Sequence, residues 1–406
     1  MQTALADFIR DTPEGQRAEQ VLRACVHCGF CTATCPTYQL LGDELDGPRG
    51  RIYQIKQVLE GAQPTPILQQ HLDRCLTCRA CETTCPSGVN YHLLLDIGRD
   101  QVERLQPRPA PQRLLRKAMS WVFATPSRFA PLLGMARLAR PVLPGGLRNK
   151  IVPAPRKVAA VTMPGQRRML VLDGCVQPAL APNINQAAAR VLSQLGIGLH
   201  TVNPGTCCGA LPHHLSEPEK ARALARANID AWLPHLEQDA EAIVVTASGC
   251  GAHVKDYPHL LADDPHYREK AQQVAALARD LVEVLRDEDL QQLPLSPSAE
   301  RTAVHTPCTL QHGLGLNGEI EALLGKLGYH LTAVEEGHLC CGSAGTYSLT
   351  QPQLSTQLRE RKLRALNVDG PQRIVTANIG CLGQLQDADG VPVLHWIDLL
   401  EQDLQD

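Results

Sequence analysis

Residues 25–36, CVHCGFCTATCP, and residues 75–86, CLTCRACETTCP, decide the fold of this chain. Both stretches spell C-x2-C-x2-C-x3-C-P, so eight of the 16 cysteines fall into two matched runs. Spacers of two residues coil the backbone tightly, and the first three sulfur atoms of a run can wrap around one point. The fourth cysteine, which precedes a proline, points away from it. Each run therefore predicts three ligands for one centre and a fourth ligand for another.

This spacing is the one by which bacterial ferredoxins bind [4Fe–4S] clusters, and in two-cluster ferredoxins the fourth cysteine ligates the other cluster. Two full copies of the run therefore predict two clusters with crossed ligand sets. The first set is Cys25, Cys28, Cys31 and Cys85, and the second set is Cys75, Cys78, Cys81 and Cys35. The crossing ties the two runs together and brings the clusters close enough to exchange electrons.

Structural zinc and disulfide bonds are the other interpretations of clustered cysteines. Zinc takes four ligands, which leaves the third cysteine and the trailing Cys-Pro unexplained in both runs. The first residues, MQTALAD, lack the charged and apolar regions of a secretory signal. Clustered cysteines in a reducing compartment indicate metal binding. We therefore expect a cytoplasmic metal-binding protein, with peripheral contact to the cytoplasmic face of the inner membrane left open.

The composition predicts a multidomain protein that is neither exported nor embedded in a membrane. A chain of 406 residues is long enough for two or three domains that each bury a core. The net charge is only −3, and aromatic residues make up 3% of the chain. No uninterrupted apolar stretch approaches the roughly 18 residues that would suggest a spanning helix.

Residues 1–104 are predicted to form an α-helical domain around the two runs. Helical spacing of apolar residues covers 14–24 and 67–74, each leading into a run. Between them, 47–61 predicts a helix that Pro48 opens and Gly61 closes. This unit resembles the α-helical ferredoxin in iron–sulfur subunits of succinate dehydrogenase. Arg49 and Arg51 either offset the charge of a cluster or face water, and the sequence favours the second interpretation.

Residues 105–167 are predicted to be a basic, proline-rich connector. Residues 104–172 hold 14 Arg or Lys and no Asp or Glu, so the rest of the chain, with 25 basic and 42 acidic residues, carries −17. Prolines break the segment into pieces, with short helices predicted at 114–122 and 129–138. Such segments serve as linkers, dock on acidic partners or lie on anionic membranes. Docking or a linker is favoured, and no nucleic-acid recognition fold accompanies the charge.

The remaining residues contain a duplicated module, 168–295 and 296–406. In each copy, 31 residues separate a single cysteine from a Cys-Cys-Gly motif, and corresponding cysteines lie 133 residues apart, except the last pair at 131. Strands are predicted at 170–175, 197–202, 242–250, 303–308, 329–334 and 373–381, with helices between them. Alternating strands and helices predict α/β layers around a mainly parallel sheet, with the cysteines at strand carboxyl ends.

The module pattern resembles the CCG domain of heterodisulfide reductase and of several dehydrogenase iron–sulfur subunits. Its cysteines are Cys175, Cys207, Cys208 and Cys250 in the first copy, and Cys308, Cys340, Cys341 and Cys381 in the second. The family has a fifth cysteine, which His253 and Gln384 replace here. The module cysteines could therefore bind a further cluster, form a thiol or disulfide redox site, or pack the crevice.

The sequence shows no motif that would oxidise a substrate. No G-x-G-x-x-G follows a strand, and there is no P-loop, H-E-x-x-H or G-x-S-x-G. His200, His213, His214, His305, His312 and His395 are scattered, so most are predicted to be ordinary core or surface residues. The chain can carry electrons, but a partner must take them from the substrate.

Residues 23–53, the second run through Gly88, both CCG blocks, 376–381 and 395–397 resemble the iron–sulfur subunits of bacterial glycolate oxidases. The resemblance implies an FAD-containing partner that oxidises glycolate to glyoxylate, a second flavoprotein-like subunit and a quinone-type acceptor. The alternatives are the equivalent subunit of a lactate or glycerol-3-phosphate dehydrogenase, a heterodisulfide-reductase-like subunit acting at the CCG cysteines, and a scaffold with structural metal.

Overall fold

The N-terminal hundred residues form a helical unit around the two cysteine runs. The computed structural model describes residues 1–142, 165–202, 206–387 and 390–405. The helices of this unit are Asp7–Arg10, Pro13–Ala24, Pro36–Leu41, Pro48–Leu59, Pro66–Asp73, Ala80–Thr83 and Tyr91–Leu105, with 3-10 turns at Phe30–Thr32 and Glu44–Asp46. The helices predicted at 14–24, 47–61 and 67–74 are confirmed, and each end lies within two residues of its predicted position.

Local chemistry explains where these helices begin and how closely they pack. The Thr12 and Thr65 hydroxyls accept hydrogen bonds from backbone N–H groups of the first turn, each followed by a proline at the first helical position. A Cβ on Gly98 would lie 2.6 Å from Ile55 Cγ1, so the helices Pro48–Leu59 and Tyr91–Leu105 approach as closely as glycine allows.

The described part of the connector is packed on the protein. It forms the helices Ala110–Phe123 and Pro126–Ala139 and a 3-10 turn at Arg140–Val142, longer than predicted. Phe129 is buried, and the Ser120 hydroxyl accepts a 2.9 Å hydrogen bond from Lys220 Nζ in the first module. The two predicted helices are therefore present but longer than expected, and one face of each packs on the first module. Connector residues 143–164 lie outside the described residues.

The first module is a four-stranded parallel sheet. Its strands are β1 (Arg167–Val171), β2 (Ile197–Thr201), β3 (Ala240–Val245) and β4 (Ala278–Asp280), in the order β2-β1-β3-β4. Its helices are Gln177–Leu180, Asn183–Gln194, Ala210–His214, Pro218–Leu236, Ser248–Lys255, Tyr257–Leu260, Arg268–Leu277 and Leu281–Arg286, with a 3-10 turn at Leu290–Gln292. The short strand β4 was not predicted, since three residues carry too little pattern to recognise.

The second module repeats this topology with a shorter sheet. The parallel strands β5 (Thr302–His305), β6 (Arg373–Thr376) and β7 (Val393–His395) pair in that order. The predicted strand 329–334 is wrong as a strand: it makes a single bridge, Thr302 to Leu331, at the position that β2 occupies in the first module. The helices are Glu319–Lys326, Tyr347–Thr350, Pro352–Leu366, Ile379–Leu385 and Trp396–Gln402, with a π-turn at Thr309–Gly313.

The two modules share one hydrophobic core. The helix Asn183–Gln194 packs against Trp396–Gln402, and Leu281–Arg286 packs against Glu319–Lys326, so each module's last helix covers the first long helix of the other. Backbone contact also crosses the boundary, where Ser248 N–H donates to the Ala377 carbonyl at 3.1 Å. The fold class expected from the sequence, a helical ferredoxin-type unit followed by duplicated α/β modules, is confirmed.

Candidate metal centres

The first predicted ligand set lines one pocket. Cys25, Cys28, Cys31 and Cys85 line it together with Cys81 of the second predicted set. The backbone turns sharply at Gly29, whose φ is +88°, and a Cβ there would lie 2.4 Å from Arg49 Nη1. The tight turn of the run therefore uses a left-handed residue between its second and third cysteines, a conformation that glycine adopts without strain.

The second predicted set lines a neighbouring pocket. Cys75, Cys78 and Cys81 from the second run are joined there by Cys35 from the first. Thr77 and Arg79 adopt left-handed backbone angles, φ 52° and 60°, and coil this run. Each predicted set thus lines one pocket, but Cys81 lines both, so the division of the eight thiols into two crossed sets stays a prediction.

The chemistry of both pockets fits an iron–sulfur cluster. The donors are four thiols each, the soft ligands that iron–sulfur clusters take. Burial, reinforced by the neighbouring Cys25 and Cys35, raises the pKa of Cys31 to about 11, and burial raises the pKa of Cys78 and Cys81 well above the usual range. Four such thiols facing one cavity need a cation to hold them as thiolates.

Arg51 lies beside the second pocket rather than in water, so the interpretation that the sequence favoured is wrong. Its side chain is 1% exposed. The guanidinium donates from Nε to the His71 carbonyl at 2.8 Å, from Nη1 to Thr37 Oγ1 at 3.2 Å and from Nη2 to Asp46 Oδ1 at 3.2 Å. These partners come from separate turns and helices, so sequence spacing could not reveal them. Arg49 is partly exposed: it lines the first pocket and pairs with Glu44.

Both modules hold their Cys-Cys-Gly motif in the same backbone cradle. In each, the glycine N–H donates to the first cysteine's sulfur at 3.4 Å, Gly209 to Cys207 and Gly342 to Cys340. Both glycines have positive φ, +98° and +86°, and a Cβ on Gly342 would lie 2.8 Å from the Ser355 carbonyl oxygen. The repeat in the sequence is thus a repeat of thiol geometry.

The thiols of each module lie in contact. Cys308 Sγ and Cys340 Sγ are 3.7 Å apart, and Cys341 Sγ lies 3.3 Å from Cys381 Sγ. In the first module, hydrogen bonds from Cys175 and Cys208 hold the pKa of Cys207 well below its usual range.

None of the four cysteines that were predicted to end strands does so. β1 stops at Val171 and β5 at His305, and Cys175 and Cys308 follow in the next turns. β3 stops at Val245 and β6 at Thr376, and Cys250 and Cys381 lie in the following helices, Ser248–Lys255 and Ile379–Leu385. In the second module, the Asn378 side chain caps the helix by accepting from the Gly380 N–H at 3.2 Å.

The residues that replace the family's fifth cysteine have different surroundings. His253 is buried, and its Nε2 has no hydrogen-bond partner among the described residues. Gln384 instead donates to Ser355 Oγ at 2.9 Å. The first module therefore offers a spare nitrogen ligand at this position, whereas the second does not.

His305 is a candidate ligand that sequence reasoning missed. Its ring and the thiols of Cys341 and Cys381 place their donor atoms within 4.8 Å of one another. His305 Nδ1 lies 2.9 Å from Thr376 Oγ1, and its Nε2 is buried with no hydrogen-bond partner in the described part of the chain. The available signal was its place three residues before Cys308, at the end of a strand.

The second pocket adjoins the second module. Cys78 and Cys340 belong to one buried apolar cluster, against which Cys308 packs. Tyr347 donates its hydroxyl to the Arg74 carbonyl at 3.0 Å and fastens the module to the run. The first module instead contacts the run through the Arg79–Asp256 ion pair.

Thiols of both modules line one large cavity of about 1320 Å³. The connector helices cover it with apolar side chains, among them Val122, Phe129 and Leu132. This cavity joins the two modules, the helical unit and the connector in one site.

A helical unit with two neighbouring thiol-lined pockets, followed by two cysteine-rich α/β modules, defines an iron–sulfur protein. Comparison with protein families agrees with this class. Residues 21–89 match the 4Fe-4S dicluster domain, and residues 169–255 and 302–386 match the cysteine-rich domain called CCG.

The chain belongs to the family of glycolate oxidase iron–sulfur subunits. It is 55% identical to the glycolate oxidase iron–sulfur subunit of Escherichia coli (strain K12), over the full length of both. It is 31% identical to a probable glycolate oxidase iron–sulfur subunit of Bacillus subtilis (strain 168), over 94% of each chain. The resemblance seen in the sequence is confirmed.

More distant proteins share parts of the chain or its fold. Lactate utilization protein A of an Exiguobacterium species is 28% identical and covers 56% of this chain and 94% of its own. A hypothetical protein from Helicobacter pylori has a crystal structure with a TM-score of 0.55 at 10% identity, over 97% of this chain and 72% of that one, and supports the fold. Among the described helices, none combines the length and apolar character needed to cross a bilayer.

Proposed function

We propose that this chain relays electrons in a glycolate oxidase complex, from an FAD-containing subunit that oxidises glycolate to glyoxylate toward a quinone-type acceptor. A second flavoprotein-like subunit completes the proposed complex. The observation that carries the proposal is the pair of neighbouring pockets, because cysteines of both runs line each of them. Full-length similarity to a glycolate oxidase subunit supports the choice of substrate.

The proposed ligands hold two [4Fe–4S] clusters, which when bound accept and release single electrons. Cys25, Cys28, Cys31 and Cys85 would bind the first, and Cys75, Cys78, Cys81 and Cys35 the second. Around the second pocket, Thr37 Oγ1 lies 3.3 Å from Cys35 Sγ, and the Tyr91 hydroxyl donates to Cys75 Sγ at 3.7 Å. Hydrogen bonds to the ligand sulfur atoms stabilise the reduced state.

We place the exit of electrons in the second module, because its thiols pack against Cys78. The module cysteines would then act as a further cluster or as a dithiol redox site. The shared cavity is the proposed place of the acceptor, because it joins those thiols to the apolar inner face of the connector helices. A quinone ring suits such a surface, which is mainly apolar with a few polar groups.

The connector helices also support a proposal of peripheral membrane contact on the cytoplasmic face. Leu114, Leu115 and Leu138 are exposed, the last at 83%. Arg113 and Lys117 flank the first two, and there is no acidic residue on either helix. Exposed apolar side chains among basic ones bind anionic lipid surfaces. Such contact would hold the cavity near a lipid-soluble acceptor.

Iron and acid-labile sulfide per chain, measured after anaerobic purification, test the proposal first. About eight of each correspond to two clusters, and about twelve to sixteen would add clusters in the modules. Zinc in place of iron would overturn the relay and favour a scaffold with structural metal. Reduction of disulfides by the isolated chain would instead favour an activity at the module cysteines.

A further inference from the structure

The two pockets of the helical unit differ in their access to solvent. Among the eight cysteines of the two runs, Cys28 alone is exposed. In the second pocket Cys35, Cys78 and Cys81 are buried and Cys75 is partly buried. A partner protein can therefore approach the first pocket directly, whereas the second lies behind protein on the side of the second module.

Exposed apolar side chains surround the mouth of the first pocket. Val26 is 67% exposed and Phe30 is 62% exposed, and both line the pocket beside Cys28. Tyr53, 47% exposed, extends this surface, because its ring centroid lies 6.2 Å from that of His27. We call Val26, His27, Phe30 and Tyr53 the rim. Clustered exposed apolar residues of this kind mark protein interaction sites.

A buried positive charge distinguishes the second pocket. Arg51 is buried and lines this pocket beside Cys35 and Cys75. The arginine that lines the first pocket, Arg49, is partly exposed and paired with Glu44. Asp46 is the carboxylate next to Arg51, but it is shared with Arg74, which donates to it at 2.8 Å. Two guanidinium groups thus face one carboxylate. A positive charge beside a centre that gains an electron stabilises the reduced state.

We propose that the rim is the docking surface for the FAD-containing subunit and that electrons run inward from the first pocket to the second. This inference rests on the proposed function and adds the entry point and direction of electron transfer. The partner's reduced flavin loses two electrons in two single transfers and releases its protons on the partner. Each electron arrives at the Cys28 side and leaves toward Cys78. No proton is taken up by this chain in these steps.

The rim is tested by the pair Phe30→Asp and Ile67→Asp. Ile67 is a matched control, because it is 66% exposed on the same unit and lines neither pocket. Affinity for the purified FAD-containing subunit is measured on iron-loaded protein by surface plasmon resonance. We expect Phe30→Asp to weaken binding at least tenfold and Ile67→Asp to leave it unchanged, with equal iron content in both.

Normal partner affinity in Phe30→Asp would overturn the docking surface. If that variant also lost quinone reduction, the rim would instead be the contact for the acceptor. Failure of the proposed function itself is separate: the unaltered chain would then contain no iron, or glycolate would not reduce it through the partner.

The direction is tested by redox titration of both centres, followed by electron paramagnetic resonance. A soluble paramagnetic relaxant identifies the exposed centre. In the unaltered protein we expect the exposed centre to have the lower potential. In Arg51→Gln we expect the potential of the buried centre to fall by about 59 mV, a tenfold change for one electron. Arg51→Lys retains the charge and should recover most of that fall.

Arg49→Gln is the control for the buried centre, because Arg49 lines the first pocket and not the second. It should leave the buried centre's potential unchanged. A higher potential at the exposed centre in the unaltered protein would contradict the direction even if Arg51→Gln does not fold. So would unchanged potentials in a folded Arg51→Gln variant.

Discussion

The two cysteine-rich modules have the same thiol cradle but different neighbours. Both place a glycine N–H 3.4 Å from the sulfur of Cys207 or Cys340. Cys340, however, packs with Cys78 of the second run, whereas the first module contacts the connector through Ser120 and Lys220. Duplication has therefore preserved the local chemistry while the two copies occupy different places between the runs and the connector.

The largest expected effect is on the rate of quinone reduction, which should depend more on the module whose thiols contact a cysteine run. Cys340→Ser should slow quinone reduction at least 100-fold, because it removes the thiol next to Cys78. Cys207→Ser should slow it less, since that thiol has no contact with either run. The measurement is steady-state quinone reduction by the assembled complex with glycolate.

Cys78→Ser provides the reference for this pair. It should abolish quinone reduction while glycolate still reduces the partner's flavin, followed by stopped-flow absorbance. Equal losses in Cys340→Ser and Cys207→Ser would break the distinction between the modules. Undiminished turnover in Cys78→Ser would refute the relay as a whole.

A second contrast lies at the start of each module's last helix. Asp280 caps Leu281–Arg286, and His395 caps Trp396–Gln402. Burial, with the nearby Glu283, raises the pKa of Asp280 to about 7, and burial lowers the pKa of His395 to about 4. The folded state therefore favours the neutral form of both residues.

The signs of their pH effects are opposite. Asp280 binds its proton more tightly when folded, so its contribution is present at low pH and is lost as pH rises from about 4 to 7. His395 binds its proton less tightly when folded, so its contribution is present above about 6.5 and is lost as pH falls toward 4.

Asp280→Asn isolates the first of these effects, because asparagine caps a helix without a charge. Its free energy of unfolding relative to the unaltered protein should improve by about 2–4 kcal/mol between pH 4 and pH 7. Urea unfolding at both pH values measures it. A difference that does not change between pH 4 and pH 7 would show that Asp280 is ionised to the same degree in the folded and unfolded states over that range.

The cradle glycines give a smaller contrast. A Cβ on Gly342 would lie 2.8 Å from the Ser355 carbonyl oxygen, whereas the closest approach for Gly209 is 3.1 Å, to the Ala221 carbonyl oxygen. Both have positive φ, which costs a non-glycine residue roughly 1–3 kcal/mol. Gly342→Ala should therefore destabilise the protein more than Gly209→Ala, with both near that range in urea unfolding.

Gly325→Ala is the matched control, because Gly325 lies in a helix and a Cβ there would meet nothing within 4 Å. It should be neutral or stabilising by up to about 1 kcal/mol. If Gly209→Ala proves the more damaging variant, steric crowding at Ser355 is not what distinguishes the two cradles.

The sequence predicted the features that appear as regular spacing and missed those that only tertiary packing assembles. The two cysteine runs are recognisable from their short fixed spacing, and the two modules from their 133-residue period. Arg51 was misjudged because its partners Thr37, Asp46 and His71 are assembled only by packing of separate turns and helices. His305 was missed for the same reason, since β5 and β6 bring it to Thr376 and Cys381.

The smallest expected effect is on membrane binding by the connector helices, on the side of the first module. The connector helices pack on that module and expose Leu114 and Leu138 among basic residues. Leu114→Gln with Leu138→Gln should reduce sedimentation with anionic phosphatidylserine vesicles by several-fold, and neutral phosphatidylcholine vesicles should bind neither protein. Binding should also weaken as salt rises from 50 to 200 mM, since lipid charge is screened within about 10 Å.

Leu349→Gln, at an exposed leucine of the second module, should sediment like the unaltered chain. If instead the control loses binding as strongly as the connector variant, the second module also contacts the membrane. The proposal that the connector side alone faces the membrane would then be wrong.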